Sequence, residues 1–174
     1  MKSSYLSLSL LSALLCSQPV AAICDAKYTG IAAIQGSGDS SPLLAQQLST
    51  QGVVTAVVYP GSEAAGIMLR ATTADSTAAA ASLFIADREA AAIYRPGQLL
   101  QISGTVAEIN QLTSLTQITD IKLCEGSAVV APLTLRLPLA AEQNWEQLEG
   151  ALLRFEQTLT VNDTYGLGRY GEIT

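Results

Sequence analysis

Residues 48–59, LSTQGVVTAVVY, form a run of β-branched, small and apolar residues with one glycine inside it. Side chains branched at Cβ are stiff at χ1 and suit a pleated, half-buried surface. A glycine within such a run marks a bend or a close backbone approach. The stretch therefore predicts a long, bent strand.

Four further strands follow. GIMLRA (66–71) is reached through a turn at Pro60-Gly61, and SLFIAD (82–87) comes after the small, polar stretch TTADSTAAAA. That stretch could be a loop or a helical turn. Pro96-Gly97 marks another turn. In LLQISGTVAEI, Leu100, Ile102, Gly104 and Val106 alternate with Gln101, Ser103, Thr105 and Ala107, the period of a strand with one buried face. Asn110-Gln111 reads as a turn into LTSLTQITDIKLC. Here the apolar positions 112, 115, 118 and 121 recur every three residues, which fits neither a regular strand nor a helix. Its Thr and Ile content favours a bulged or coiled strand, with a helix as the alternative.

Five strands, a glycine-kinked first strand and a long last hairpin predict an all-β chain built on a five-stranded, OB-fold-like barrel. A small sandwich is the rival. Residues 126–147, with Pro132 and Pro138, read as a connector, and LEGALLRFEQTLTVND begins new β structure over 148–174. The pattern at GRYGEIT has no closing element, as expected of a piece of a longer protein.

The first 22 residues read as an export signal: Lys2, an apolar stretch from Leu6 to Leu15, and small residues at Val20-Ala21-Ala22 before a cleavage site. The apolar stretch is too short to span a bilayer, which takes about 20 residues. Cys16 raises a lipoprotein reading, which the bulky Leu15 before it disfavours. The expected product is secreted, to the periplasm or beyond. Cys24 and Cys124 then remain, and two cysteines in an oxidising compartment predict one disulfide. A metal or redox pair is the alternative, but no CxxC is present and the chain has no histidine to complete a zinc site.

Charge narrows the function. Lys2, one of nine basic residues, leaves with the signal, so 15 acidic residues face eight basic ones. Attraction to a phosphate backbone needs clustered Lys and Arg, so a nucleic-acid role requires a local basic patch or another domain.

Several motifs fail on chemistry. IAAIQGSGDSSPL (31–43) has no lysine for a Walker loop, and Ser41 stands where the third glycine of a dinucleotide loop belongs. GDSSP cannot work as a serine nucleophile of the Ser-His-Asp type without a histidine. The segment reads as a polar lead-in to the first strand. The aspartates are scattered without calcium-loop spacing, and Glu142, Glu146 and Glu149 have the spacing of a solvated helix face. No catalytic residue and no metal ligand is expected. A single-strand platform needs aromatics to stack and cations for phosphates. Tyr59, Arg70, Phe84, Arg88, Tyr94 and Arg95 lie in or beside the barrel strands and are the candidates. The bland reading puts Phe84 in the core and the rest on the surface. Arg154, Tyr165, Arg169 and Tyr170 lie in the second segment.

Four stretches in order, ICDAKYTGIAAIQGSGDSSPL, TQGVVTAVVYPG, GQLLQISGTVAEINQLTSLTQI and LEGALLRFEQTLTVNDTYGLGRYGEIT, cover nearly all of the chain after the signal. Together they resemble the N-terminal region of large secreted bacterial nucleases, the extracellular endonuclease/exonuclease group. The resemblance implies an OB-fold over 23–125, ahead of an endonuclease/exonuclease/phosphatase-fold domain that hydrolyses phosphodiesters with a divalent metal, magnesium or calcium. The family's catalytic Asp, Glu, Asn and His belong to that later domain, so none is carried over. GIMLR replaces an aromatic GFFIQ-like strand of the relatives, and TTADSTAAAAS replaces an Asp/Gly-rich loop. The implied role is an accessory module that binds or positions nucleic acid, or packs on its own downstream catalytic domain. A structural spacer and a carbohydrate-binding OB module are the alternatives.

Overall fold

The computed structural model describes residues 24, 27–59, 61–72, 82–127, 130–140, 145 and 148–170. The expected export signal, Cys16 and most of the alanine-rich 72–81 stretch lie outside these residues.

The described chain is mostly β. β1 (Gln47–Val58), β2 (Gly66–Arg70), β3 (Ser82–Ile85), β4 (Gln98–Ile109) and β5 (Leu112–Ser127) fall where the sequence predicts strands. They pair in the ring β1-β2-β3-β5-β4 and back to β1. Every pairing is antiparallel except β3 with β5, where Phe84 and Ile85 lie beside Ser114 and Leu115. The β3–β5 contact is short, two residue pairs, and the rest of β5 pairs with β4 alone.

Local chemistry explains the ring. Alternation along β4 puts Leu100, Ile102 and Val106 in the core with Ile67, Leu69, Leu83, Ile85 and Leu115. Gly52 lets β1 pass close to its neighbours: a Cβ there would sit 2.9 Å from Ile31 Cδ1 and 3.0 Å from the Arg70 carbonyl. The β4–β5 hairpin turns on Asn110 and Gln111, both at positive φ, the conformation of a tight two-residue hairpin turn.

The period of three in β5 is a bulge. Thr105 pairs with Thr116, but Ser103 pairs with Asp120, so three residues of β5 face Gly104 alone. Gln117 takes positive φ to make the detour. Parity survives it, so Leu115 on one side and Ile121 and Leu123 on the other still turn toward the core. Ile118, within the bulge, also packs there.

Two short helices close the core, and sequence patterning missed both. α1 (Ile31–Gln35) lies in the segment read as a polar lead-in, yet Ile31 and Ile34 are fully buried. Gly36 ends it at positive φ, donating its N–H to the Ala32 carbonyl. Ser41, in the GDSSP stretch, donates its hydroxyl to the Ile34 carbonyl, so it locks the loop after α1. α2 (Arg88–Ile93) follows β3 and is capped by Asp87, whose carboxylate accepts the Ala90 N–H at 2.7 Å.

Cys24 and Cys124 form a disulfide that ties the chain ahead of α1 to β5. Beyond the ring, β6 (Leu133–Leu135) and β7 (Leu153–Phe155) make a separate two-stranded parallel sheet. β6 lies in the stretch read as a connector. The Gln157 side chain extends this pairing, accepting the Leu137 N–H at 2.7 Å and donating to the Leu137 carbonyl at 3.0 Å. Near the end, where the sequence reads as strand, Leu167–Tyr170 is a short helix, α3.

Candidate functional site

A cavity of about 550 Å³ opens between the β1–β2 loop, the outward face of β2 and β3, and the β4–β5 hairpin. Its floor is apolar: Met68 from β2, Phe84 from β3, and Ile109 and Leu112 from the hairpin. Tyr59 stands at its rim, 66 % exposed, its backbone turned to positive φ as the chain leaves β1. Glu63 and Arg88 face each other there across an ion pair of 2.6 Å. Both are largely exposed, so solvent screens the pair and it adds little to stability.

The local sequence builds this hollow. Gly66 opens β2 without a side chain: a Cβ there would collide with the Ile85 carbonyl and the Phe84 ring. Ala64, Ala65 and Ala86 keep the walls low. Further along the same face Gly150 covers β2 and β3. A Cβ on Gly150 would collide with Met68 Cε and lie 3.4 Å from Ser82 Cβ. Leu148 beside it is buried, and Glu149 accepts hydrogen bonds from Gln35 and Thr113. Residues 148–150 thus form a strap across the face of β2 and β3 that carries Met68 and Ser82.

Of the six candidate side chains, Tyr59, Phe84 and Arg88 meet at the cavity; Arg70, Tyr94 and Arg95 do not. Arg70 is 1 % exposed on β2, and burial pulls its guanidinium below its ordinary pKa. It cannot reach a ligand in solvent. Tyr94 is buried at the end of α2, in a hollow it shares with Asp87, Glu89 and Asp120. Burial first, then these carboxylates, raise its phenol above the usual value. An acidic hollow repels phosphate. Arg95 is committed to the end of α2, donating to the carbonyls of Tyr94 at 2.7 Å, Ala92 at 2.8 Å and Ala91 at 3.3 Å. That satisfies carbonyls a helix end leaves open.

Glu63, Met68 and the hairpin residues were missed by sequence reasoning, since nothing in a strand pattern says that residues 63 and 110 share a rim. Among the described residues no three Asp, Glu, Cys or His side chains converge as a metal centre. Also among them, no helix is long and apolar enough to cross a membrane.

No protein-family model matches the chain, and the search of curated proteins likewise finds no match.

Proposed function

We propose that the barrel is an OB-fold and that its cavity binds a short stretch of single-stranded nucleic acid, making the chain an accessory binding and positioning module of a secreted, metal-dependent phosphodiesterase. The fold assignment is supported by the ring order β1-β2-β3-β5-β4, with its one parallel pair between β3 and β5. OB-folds take oligonucleotides on the face of strands 2 and 3 and between the β1–β2 and β4–β5 loops. The observation that carries the reading is the cavity at that place, with Phe84 on its floor and Tyr59 at its rim. A base stacked on Tyr59, beside the apolar floor of Met68 and Leu112, would set a phosphate toward Arg88. The separate catalytic domain, the metal it uses and the export of the protein rest on the resemblance to secreted nucleases and on the signal-like leader. The disulfide agrees with an oxidising compartment.

One cation at the site implies weak binding with a shallow salt dependence. Fluorescence anisotropy of a labelled single-stranded oligonucleotide against the purified chain tests it. The expected slope of log K on log salt is about −0.7, the value for one phosphate contact on a single strand. Tyr59→Ala should weaken binding by about 5- to 160-fold, since a stacked base is worth about 1–3 kcal/mol. Absence of binding at low salt overturns the reading.

That result would favour the second one, a structural module. Its specific support is the strap of residues 148–150 on the same wall, which ties the barrel to the β6–β7 segment.

A further inference from the structure

Tyr94, at the end of α2, is only 7 % exposed, and among the described residues no group hydrogen-bonds its phenol. A buried phenol usually finds such a partner. This one opens on a hollow of about 250 Å³ between α2 and β5. Asp87 and Glu89, at the start of α2, and Asp120, on β5, line the same hollow. The charges of all three reach the phenol, so its oxygen faces the hollow and not the core.

These carboxylates are short of cations. Lys122 Nζ stands 3.9 Å from Asp120, but both side chains are largely exposed and solvent screens the pair. Arg88 is paired with Glu63, and Arg95 donates to the carbonyls at the end of α2. Asp87 gives one oxygen to the Ala90 N–H as the cap of α2. Three negative charges therefore meet one screened positive charge. A bare metal ion does not fit, because the three carboxylates line one hollow without converging closely enough to ligate a single ion. Ile93, Ile118 and Ile121 stand among them. Anions set apart by apolar surface call for cations set apart by methylenes. An ammonium brings three donors and no acceptor, and its stem lies along apolar side chains while the charged head stays with polar groups.

We propose that the hollow beside Tyr94 binds a linear di- or polyamine, its ammonium groups on Asp87, Glu89 and Asp120 and its methylenes along the isoleucines. The Tyr94 oxygen accepts from one of the ammonium groups, which supplies the partner the phenol lacks. A single lysine side chain would answer one carboxylate and leave the others, so the charge count favours a polyvalent amine. The hollow shares no lining residue with the cavity at Tyr59. The site therefore stands whether or not that cavity binds nucleic acid.

The test is an NMR titration of the backbone amides with spermidine, repeated at matched ionic strength with magnesium chloride and with N-acetyl-lysine methylamide. Saturable shifts are expected over residues 87–94 and 118–121, with Kd of about 0.1–1 mM, weak because the carboxylates face solvent and salt screens them. Magnesium should give no saturable shift there, and the lysine derivative should bind at least about tenfold more weakly, one charge-pair contact fewer. Asp120→Asn and Tyr94→Phe should each weaken spermidine at least about threefold, in variants whose other amide shifts report an intact barrel. Glu63→Gln, at the separate cavity, should change nothing. No saturable shift of the wild-type chain up to about 10 mM spermidine, well above that Kd range, overturns the proposal. Equal, saturable shifts with magnesium overturn it too, since they would make the hollow a general counter-ion site. Equal affinity for the lysine derivative would assign the hollow to a single side chain and overturn the polyamine, as would undiminished binding by both folded variants.

Discussion

Gln35 donates its side-chain amide to the Glu149 carboxylate at 2.7 Å, joining two residues 114 positions apart. The bond holds the strap against α1, and the Thr113 N–H shares the same oxygen. Glu149→Ala leaves both donors without their acceptor, at a cost of about 1–3 kcal/mol. Faster amide exchange is expected at Thr113 and over Leu153–Phe155. Unchanged exchange in β7 would mean that Leu148 and Gly150 hold the strap by packing alone.

The disulfide should contribute more than any single hydrogen bond. It joins residues separated by 100 positions, and a loop of that length gives about 4–5 kcal/mol in the chain-entropy account. Denaturant unfolding of the double variant Cys24→Ala/Cys124→Ala measures it. A loss below about 1 kcal/mol, far under that entropic figure, would mean that the unfolded chain is already restricted without the bond.

Two glycines on different ground make a paired test. A Cβ at Gly104 would lie 2.7 Å from the Thr116 carbonyl and 2.9 Å from Ile118 Cδ1, against the β5 bulge. Gly104→Ala should destabilise by about 1–3 kcal/mol, the usual cost of overpacking. Gly38 has nothing within 4 Å of its Cβ position, so Gly38→Ala should stay within about 0.5 kcal/mol of wild type. Equal effects at the two sites would refute the close approach at the bulge.

β4 was legible because it is long enough to show its alternation at four inward positions, whereas β2 and β3, buried along their whole length, showed only as short apolar runs between turn or loop signals. The two helices were not. Five residues in α1 and six in α2 are shorter than the window in which a helical period can be recognised. α2 did carry a local signal, the Asp87 cap ahead of the helix-favouring run Arg88-Glu89-Ala90-Ala91. The three-residue period of β5 was visible, but its cause, the excursion at Gln117, depends on pairing with β4. Half of the candidate site was legible for a similar reason. Tyr59, Phe84 and Arg88 could be named as residue types suited to nucleic acid. That Arg70 points into the fold and Arg95 closes its own helix depends on contacts with distant or local backbone that composition does not encode. Glu149 was the largest miss. Its spacing from Glu142 and Glu146 looked like a solvated helix face, while its partners lie at positions 35 and 113.

Tyr94 makes stability sensitive to alkali. Burial, followed by Asp120, Asp87 and Glu89, raises its phenol above the ordinary 10.0. The native state thus keeps a proton that the unfolded chain releases, and stability falls with pH in that window. The contribution is complete below about pH 10 and disappears as pH rises through the raised native value. Tyr94→Phe should flatten the profile of unfolding free energy between about pH 9 and 11 relative to wild type. An unaltered alkaline slope in that variant would assign the sensitivity to other tyrosines or lysines.

Charge at the cavity rim supplies the sharpest separation between a binding site and a spacer. Glu63 holds Arg88 at 2.6 Å and cancels its charge at the place where a phosphate would sit. Glu63→Gln removes the competing anion and leaves the cation, so oligonucleotide affinity should rise by about 3- to 10-fold at low salt, with the gain fading as salt screens the charge. Arg88→Gln should abolish the salt dependence. Arg95→Ala should leave affinity unchanged, because that guanidinium is spent on the carbonyls of Ala91, Ala92 and Tyr94, and its loss should appear instead as lower stability. Anisotropy titrations of the three variants against wild type decide the matter. A gain in Glu63→Gln that vanishes when Tyr59 is also replaced by alanine would tie charge and stacking to one ligand. Equal affinities in all variants would leave the barrel with its structural role.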